Sequence, residues 1–191
     1  INFTARLVNS PTIPHKLSFL NNHDTTVSIV EFDSSDYADM EALRDAAQDW
    51  ATRGCKYAEQ IYDNALSGSK YTDVIQNHYY GLTTQTADFH KIRPNNILGL
   101  MMFAETENPE NEIMLLEVDP KTNHSKRFNR EYKQVGRKLV EHIQEKYNDK
   151  GIIVWSDYNA RNFYKKLGFK QTCKETPCEL HWSNNNEVRG K

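Results

Sequence analysis

The sequence predicts an α/β fold in which a mixed sheet, mostly antiparallel and partly parallel, is twisted and carries helices on both faces. Short β-branched and apolar runs alternate with segments of helical periodicity along the 191 residues. Two consecutive apolar runs separated by a polar turn predict an antiparallel hairpin. The last third of the chain alternates helix and strand, an order that is typical of parallel strand pairs.

Length and composition fit one domain of ordinary charge. Apolar residues make up 38% of the chain, and 24 basic side chains nearly balance 26 acidic ones. No apolar run approaches the roughly 18–20 residues that a membrane span needs, so we expect no membrane association. We expect an N-terminal arm or extra strand over residues 1–25, one domain over 26–183 and a flexible tail over 184–191.

The cysteines indicate a reducing environment. There are three of them at irregular spacing, which favours free thiols and, with no visible signal peptide, a cytoplasmic location. A disulfide between Cys173 and Cys178 across a hairpin is the alternative. No Cys/His set has the spacing of a zinc site, so no metal is expected.

The first half of the domain reads as one strand followed by two helices. Thr25–Phe32 is β-branched and aromatic and predicts a strand, after which Asp33–Asp36 offers helix caps. From Tyr37 apolar residues recur every three or four positions until Gly54, which predicts an amphipathic helix. A second helix is predicted over Tyr57–Leu66.

A three-strand meander follows in the middle of the chain. His78–Gln85 predicts its first strand, and Ile97–Glu105 and Glu112–Val118 flank a polar turn and predict a hairpin. Residues 121–133 are polar and basic without periodicity, so they predict a loop.

The last third predicts a helix at Val135–Tyr147, a buried strand at Gly151–Ser156 and a short helix that begins at Asn159 and ends at Gly168. A closing hairpin is expected from Phe169–Cys173 and Glu179–Trp182.

The order and residues of this last third resemble the acetyl-coenzyme A binding half of the GNAT acyltransferase superfamily. The segment Asn159–Lys170 is the most informative part. The resemblance extends over about residues 26–183 and is specific over 97–170. It implies the GNAT fold and an N-acetyltransferase, which moves an acetyl group from acetyl-coenzyme A to a primary amine by direct transfer in a ternary complex.

The resemblance also implies a cofactor site. The strand Glu112–Val118 would splay away from Gly151–Ser156, so that its exposed backbone pairs with the pantetheine arm. A turn that opens the next helix would hold the pyrophosphate on backbone N–H groups. The implied cofactor-binding residues are Leu116, Val118, Lys133, Gln134, Val135, Gly136, Arg137, Lys138 and Asn159.

This turn departs from the family pattern at two positions. Gly136 matches its last glycine, but Glu131 stands where the family has Gln or Arg, and Gln134 replaces the central glycine. Gln134 narrows the backbone conformations that are open to the turn. Asn159 has helix capping as its alternative role.

Two residues are the candidate catalytic groups. Tyr164 matches the tyrosine that many family members place near the thioester sulfur, where a phenol can protonate the leaving thiolate. Glu117 is the first candidate base for the amine, and strand alternation predicts that Glu112 points to the opposite side. The other base candidates are Glu112, Glu105, His78 and Tyr80. Four tyrosines are expected either to line an acceptor pocket or to pack in the core: Tyr57, Tyr62, Tyr79 and Tyr80.

Two other functions remain open from the sequence. A GNAT-fold module that has lost catalysis would explain the altered turn, and an acyltransferase could act on a protein or tRNA amine. The near-neutral charge argues against nucleic acid. The expected acceptor is therefore a small-molecule or protein amine, with a homodimer left as an open alternative.

Overall fold

The computed structural model describes residues 5–16, 22–68, 73–122, 131–172 and 177–184. The strands in this part of the chain are β1 (Arg6–Asn9), β2 (Thr12–Lys16), β3 (Asn22–Thr26), β4 (Ser28–Phe32), β5 (Val74–Thr83), β6 (Ile97–Thr106), β7 (Glu110–Val118), β8 (Gly151–Ser156), β9 (Lys170–Gln171) and β10 (Cys178–Trp182). The α-helices are α1 (Tyr37–Ala51), α2 (Tyr57–Ser67), α3 (Val135–Lys146) and α4 (Arg161–Lys165).

Eight of these strands form one sheet in the order β1–β4–β5–β6–β7–β8–β10–β9, while β2 and β3 form a separate hairpin. Within the described chain, β7 and β8 pair in parallel and every other neighbouring pair is antiparallel. The predicted mixed α/β sheet is thus confirmed, and its one parallel junction lies between the strands that flank α3.

Each face of the sheet has its own apolar core, because helices cover both sides. On one face, Leu139 and Ile143 of α3 pack with Phe103 of β6. On the other face, Leu43 of α1 and Ile61 of α2 pack against strand residues that alternate with those of the first core. Strand alternation therefore assigns each side chain of β5, β6 and β7 to the α3 face or to the α1/α2 face.

The helix boundaries agree with the signals in the sequence. Asp36 caps α1 by accepting hydrogen bonds from the backbone N–H groups of Ala38 and Asp39, at 2.9 and 3.0 Å. Gly54 follows α1 and Gly68 follows α2, both with positive φ angles, which glycine adopts without steric cost. The predicted boundaries of α1 and α2 are therefore confirmed to within a few residues.

The run predicted as one strand at Thr25–Phe32 is divided between two strands in the structure. β3 ends at Thr26 and β4 begins at Ser28, because each strand has a different partner. The Val27 N–H between them donates to the Pro11 carbonyl at 2.9 Å. A β-branched run predicts extended backbone, but it does not say where the chain changes sheets.

The N-terminal segment contributes an edge strand and a hairpin. β1 pairs antiparallel with β4 at the sheet edge. The hairpin of β2 and β3 reaches the segment that leads into α3, where the Lys133 N–H donates to the Pro14 carbonyl at 3.0 Å. The His15 ring stacks on Tyr132 at a centroid distance of 4.3 Å. This hairpin therefore fixes the chain immediately before α3.

Two predicted strands have different lengths in the structure. β5 begins at Val74, because its pairing with β6 extends to Thr106, whereas the sequence around Val74 lacks strong alternation. β9 has two residues, whereas the predicted strand extended to Cys173, which lies outside the described residues. Residues 123–130 of the predicted basic loop also lie outside them.

The expectation of free thiols is correct for Cys55, which is buried and free. It is wrong for Cys178, which is disulfide-bonded. Cysteine spacing carries no information on which segments meet in space, so the sequence could not decide between the two states. The disulfide removes the cysteine argument for a reducing compartment. No helix among the described residues is both long and apolar enough to cross a membrane.

Candidate active site

A cleft opens where β7 separates from β8. The parallel pairing runs from Glu110, opposite Gly151, to Ile113, opposite Val154, and then stops. β7 continues to Val118 while β8 continues to Ser156, so the two strands diverge over these residues. The space between them is a cleft of about 290 Å³, lined by Tyr57, Ile113, Met114, Leu115, Leu116, Val154, Trp155, Ser156, Asp157, Ala160, Tyr164 and Pro177. The splay expected from the resemblance is therefore present.

A β-bulge in β7 accompanies this divergence. Met102 of β6 pairs with Leu115, but the next residue of β6, Phe103, pairs with Ile113, so Met114 is the inserted residue. A bulge increases the local twist of a strand, which turns the second half of β7 away from β8.

The bulge corrects the prediction that Glu112 and Glu117 point to opposite sides. Glu112 pairs with Ala104 and Glu117 with Leu100, two β6 residues that are four positions apart and so share one face. The inserted residue reverses the alternation along β7 once. Both carboxylates therefore lie on the α1/α2 face of the sheet.

Tyr164 lies in the wall of the cleft and is 6% exposed. Its ring packs edge-on against Phe163 and Phe169, at centroid distances of 4.9 and 5.4 Å. Its hydroxyl has no hydrogen-bond partner among the residues that the structure describes. Burial, with a smaller contribution from the nearby Tyr57 hydroxyl, raises the pKa of Tyr164 above its ordinary value, so the phenol keeps its proton at neutral pH.

Tyr57 and Asp157 also line the cleft, opposite each other. The Tyr57 hydroxyl donates to Asp157 Oδ2 at 3.2 Å, which joins the start of α2 to the end of β8. Burial and the Asp157 carboxylate raise the pKa of Tyr57.

Glu117 has a structural partner at the N-terminus of α2. Its Oε2 accepts a hydrogen bond from the Ala58 N–H at 2.8 Å, which satisfies one of the N–H groups that the first turn of a helix leaves unpaired. It also lies beside Cys55, where burial and then the Glu117 carboxylate raise the pKa of the thiol to about 12. A catalytic role for Glu117 stays a prediction.

The other base candidates fall in different places. His78 lies on the α3 face, with Nδ1 2.5 Å from Glu31 Oε1 and Nε2 2.9 Å from Glu105 Oε1. The buried Tyr80 hydroxyl accepts from Lys146 Nζ at 2.7 Å in the same network. None of His78, Tyr80 or Glu105 lines the cleft.

The turn before α3 contains a residue in the left-handed conformation, although it lacks a central glycine. Gln134 has φ 65° and ψ 14°, the region that glycine most readily occupies. Its carbonyl accepts from the Lys138 N–H at 2.9 Å, and α3 begins at Val135. The N–H groups of this first turn have no partner within the helix, so they can bind an anion.

Gly136 keeps space between this helix start and the end of β7. A Cβ atom at this position would lie 3.4 Å from Val118, 3.5 Å from Phe163 and 3.6 Å from Leu116. A methyl group would just contact all three side chains, and a larger side chain would displace them or close the space. Gly136 therefore lets the first turn of α3 lie close to the end of β7 and to Phe163 of α4.

The two basic residues near the start of α3 share one acidic partner. Arg137 Nε and Lys138 Nζ contact Glu141 at 2.6 and 3.0 Å. Burial alone would raise the pKa of Glu141, but these hydrogen bonds lower it overall. The Arg137 side chain is about half exposed, so the charge remains next to the helix start.

The prediction that Asn159 caps the following helix is wrong. α4 begins at Arg161 with Ala160 at the N-cap position, and no side chain caps it. The Ala160 N–H instead donates to the Asp157 carbonyl in a turn, at 3.0 Å. Asn159 is exposed in this turn and does not line the cleft.

The structure brings part of the predicted site together and adds residues to it. Tyr164 and Leu116 line the cleft, and Gly136 lies close to both Leu116 and Val118. Trp155 was expected only as part of a buried strand, and no role was predicted for Asp157. Their place in the cleft depends on where the pairing of β7 and β8 stops, for which the sequence has no local signal.

The mixed sheet with a cleft between its two parallel strands is the fold expected from the resemblance, and comparison with known structures supports this class of fold. An acetyltransferase of the GNAT family from Staphylococcus aureus matches with TM-score 0.53 and 13% identity, over 83% of this chain and 99% of that one. The ribosomal-protein-S18-alanine N-acetyltransferase from Escherichia coli matches with TM-score 0.52 and 14% identity, over 85% and 97%. Ard1 from Thermoplasma volcanium matches with TM-score 0.50 and 14% identity, over 82% and 96%.

The chain therefore has the GNAT fold, and that prediction is confirmed. No protein-family model matches the sequence, and no curated protein sequence matches it. At this level of identity the structural likeness concerns the fold, so the activity must be argued from the site itself.

Proposed function

We propose that this protein is an N-acetyltransferase that uses acetyl-coenzyme A as its co-substrate and a primary amine as acceptor. One observation supports this most strongly. The cleft formed where β7 diverges from β8 is lined by Tyr164, whose hydroxyl has no hydrogen-bond partner among the described residues, and by Leu116, which lies close to Gly136 in the first turn of α3.

The residues present fit coenzyme A in two ways. The N–H groups at the start of α3, with Lys133, Arg137 and Lys138 nearby, suit a pyrophosphate, which favours backbone donors and positive charge. Because Gly136 has no side chain, the first turn of α3 lies close to Leu116 and Val118 at the end of β7, where the pantetheine arm would bind. The remaining residues proposed to hold the cofactor are Leu116, Val118, Gln134, Val135 and Asn159.

Acetyl-coenzyme A would supply an acyl group activated as a thioester. The exposed edge of β7 from Leu116 to Val118 would orient it by strand-like hydrogen bonds to its amide groups. Tyr164 would donate its proton, as a hydrogen bond or completely, to the sulfur that leaves as a thiolate. Its raised pKa keeps this proton in place before reaction.

The acceptor amine must lose a proton during its attack on the thioester. We propose Glu117 as the group that takes it, because this carboxylate lies on the diverging half of β7 and retains one oxygen that does not bind Ala58. Asp157, which lines the cleft, is the alternative. No covalent enzyme intermediate is needed, since holding both reactants in one cleft makes direct transfer efficient.

The class of acceptor has two candidates, small-molecule amines and protein amines. The structurally similar Escherichia coli protein is named for an alanine of ribosomal protein S18 as its substrate, which keeps a protein N-terminus among the acceptors to test here.

Calorimetric titration of acetyl-coenzyme A into the purified protein tests the proposal. We expect micromolar binding by the native protein and a loss of at least tenfold in Gly136→Asp, because the carboxylate would displace the side chains around Gly136 and repel phosphate. Gln48→Asp adds the same charge at an exposed site on α1 and should leave binding unchanged. If the folded native protein does not bind acetyl-coenzyme A, the proposal is refuted and a non-catalytic module becomes the better explanation.

A further inference from the structure

We propose that the loop between β5 and β6, residues 84–96, is a second ligand site, which binds the phosphate group of a small hydroxylated molecule. The loop borders a cavity of about 820 Å³. No residue that lines this cavity also lines the cleft between β7 and β8. The site is therefore separate from the cleft, and it does not depend on the proposed acetyl transfer.

The side chain of Gln85 organises this loop. Its Nε2 lies 2.9, 2.7 and 3.2 Å from the carbonyl oxygens of Ala87, Asp88 and Lys91, to which it donates. Its Oε1 accepts from the Arg93 N–H at 3.1 Å. One side chain thus contacts the backbone at four positions, which holds this wall of the cavity in a defined conformation.

The loop is also anchored at its base and in the core. The Thr84 N–H donates to the Asn96 carbonyl at 3.0 Å, which closes the loop where it leaves the sheet. Ile92 is 1% exposed and packs in the core on the α1/α2 face. Because these contacts preorganise the loop, little conformational freedom would be lost when a ligand binds.

The backbone of the loop has free donors beside occupied acceptors. Three of its carbonyls accept from Gln85, whereas the N–H groups of Asp88 and Phe89 have no hydrogen-bond partner within the described residues. Asp88 has φ 56°, a left-handed conformation that is uncommon outside glycine. Successive N–H groups next to a left-handed residue form concave anion sites. The backbone therefore suits an anion at this point.

The charged side chains of the cavity wall favour the same ligand. Lys91 and Arg93 line the cavity, are exposed, and form no ion pair with any residue that the structure describes. Asp88 is the carboxylate among the lining residues, so these two cations outnumber it, and His90 adds an imidazole. A guanidinium group binds two phosphate oxygens at once, and a lysine ammonium adds a compact positive charge.

The rest of the wall is polar, and the cavity is larger than a phosphate ion. Thr84, Thr86 and Asn96 supply hydroxyl and amide groups, which can donate to and accept from the hydroxyl groups of a ligand. Cavities of about 300–1,000 Å³ hold small organic ligands. The chemistry that fits is therefore a phosphorylated and hydroxyl-rich small molecule, such as a sugar phosphate.

Calorimetric titration with ribose 5-phosphate, inorganic phosphate and ribose tests this site. We expect ribose 5-phosphate to bind more tightly than inorganic phosphate, and ribose not to bind. Lys91→Gln and Arg93→Gln should each weaken binding by about fivefold or more, because each removes a charged donor. Lys170→Gln removes an exposed lysine on β9, at the far edge of the sheet, and should leave binding unchanged.

Two further measurements locate the bound phosphate, because the start of α3 also suits one. β6 alone lies between β5 and β7, so the loop is about 10 Å from the end of β7. Gly136→Asp alters the start of α3 and should retain the binding of ribose 5-phosphate to the loop. In the native protein, the backbone amide NMR signals of Asp88 and Phe89 should shift when ribose 5-phosphate is added.

This inference is overturned if neither phosphate binds to the native protein, if Lys91→Gln and Arg93→Gln bind as the native protein does, or if Gly136→Asp abolishes binding. Equal affinities for the two phosphates would contradict a hydroxylated ligand. Because the loop shares no lining residue with the cleft, none of these outcomes bears on the proposed transferase, which the titration with acetyl-coenzyme A tests separately.

Discussion

Replacing Tyr164 by phenylalanine removes one hydroxyl group and leaves the aromatic packing against Phe163 and Phe169 in place. The hydroxyl makes no hydrogen bond within the described residues, so its removal leaves no donor or acceptor among them unpaired. We therefore expect the free energy of unfolding to change by less than about 1 kcal/mol. An effect on turnover would then report on chemistry and not on folding.

The expected loss of activity follows from the charge on the leaving group. A hydrogen bond to a charged acceptor contributes about 1.5–3 kcal/mol, and each 1.36 kcal/mol corresponds to about a tenfold change in rate. Turnover in Tyr164→Phe should therefore fall by about 10- to 150-fold. The affinity for acetyl-coenzyme A should stay within about twofold, because the thioester sulfur carries little charge before reaction.

The assay is steady-state release of free coenzyme A thiol, with the dissociation constant and the unfolding curve measured on the same samples. Because burial raises the pKa of Tyr164 above its usual 10.0, ionisation of this phenol should not reduce turnover of the native protein below that pH. Unchanged turnover in a folded Tyr164→Phe protein would refute the acid role. A loss confined to cofactor affinity would assign Tyr164 to binding.

Three further predictions concern the candidate base Glu117, the buried His142 and the turn before α3. Glu117→Gln keeps an oxygen that accepts from the Ala58 N–H, whereas Glu117→Ala loses it and should lower the free energy of unfolding by about 1 kcal/mol. If Glu117 is the base, kcat falls in both variants. An unchanged kcat in Glu117→Gln excludes Glu117 as the base. Burial lowers the pKa of His142 from 6.5 to about 4. As the pH falls, the unfolded chain binds a proton at this histidine before the folded protein does. The free energy of unfolding therefore decreases between pH 6.5 and about pH 4. The difference in free energy of unfolding between His142→Leu and the native protein, measured with urea, should change by about 2–3 kcal/mol between pH 7 and pH 4.5. An equal difference at both pH values would contradict the lowered pKa of His142. Tyr132→Ala removes the stacking contact with His15 of the N-terminal hairpin, which helps to fix the chain before α3. Calorimetry should therefore show acetyl-coenzyme A binding weakened several-fold. The control Tyr37→Ala, at an exposed position, should leave binding unchanged.

Elements with strong local signals could be predicted from the sequence. The periodicity of α3, the cap at Asp36 and the glycine after α2 each depend on residues that are neighbours along the chain. The same holds for Gly136 and Tyr164, whose spacing within a helix–strand–helix order carried the resemblance to GNAT proteins. The left-handed conformation of Gln134 shows a limit of such reasoning, because the surrounding structure imposes it on a residue that does not prefer it.

The sequence by itself determined the fold class, and it named the turn before α3 as the proposed cofactor site and Tyr164 as the candidate acid. The tertiary structure decided that Glu112 shares a face with Glu117, that Glu117 caps α2, and that Trp155 and Asp157 line the cleft. All of these depend on the bulge at Met114 and on the point where β7 leaves β8. Strand register and bulges arise from pairing between segments far apart in the chain, so the side-chain alternation within one strand cannot specify them.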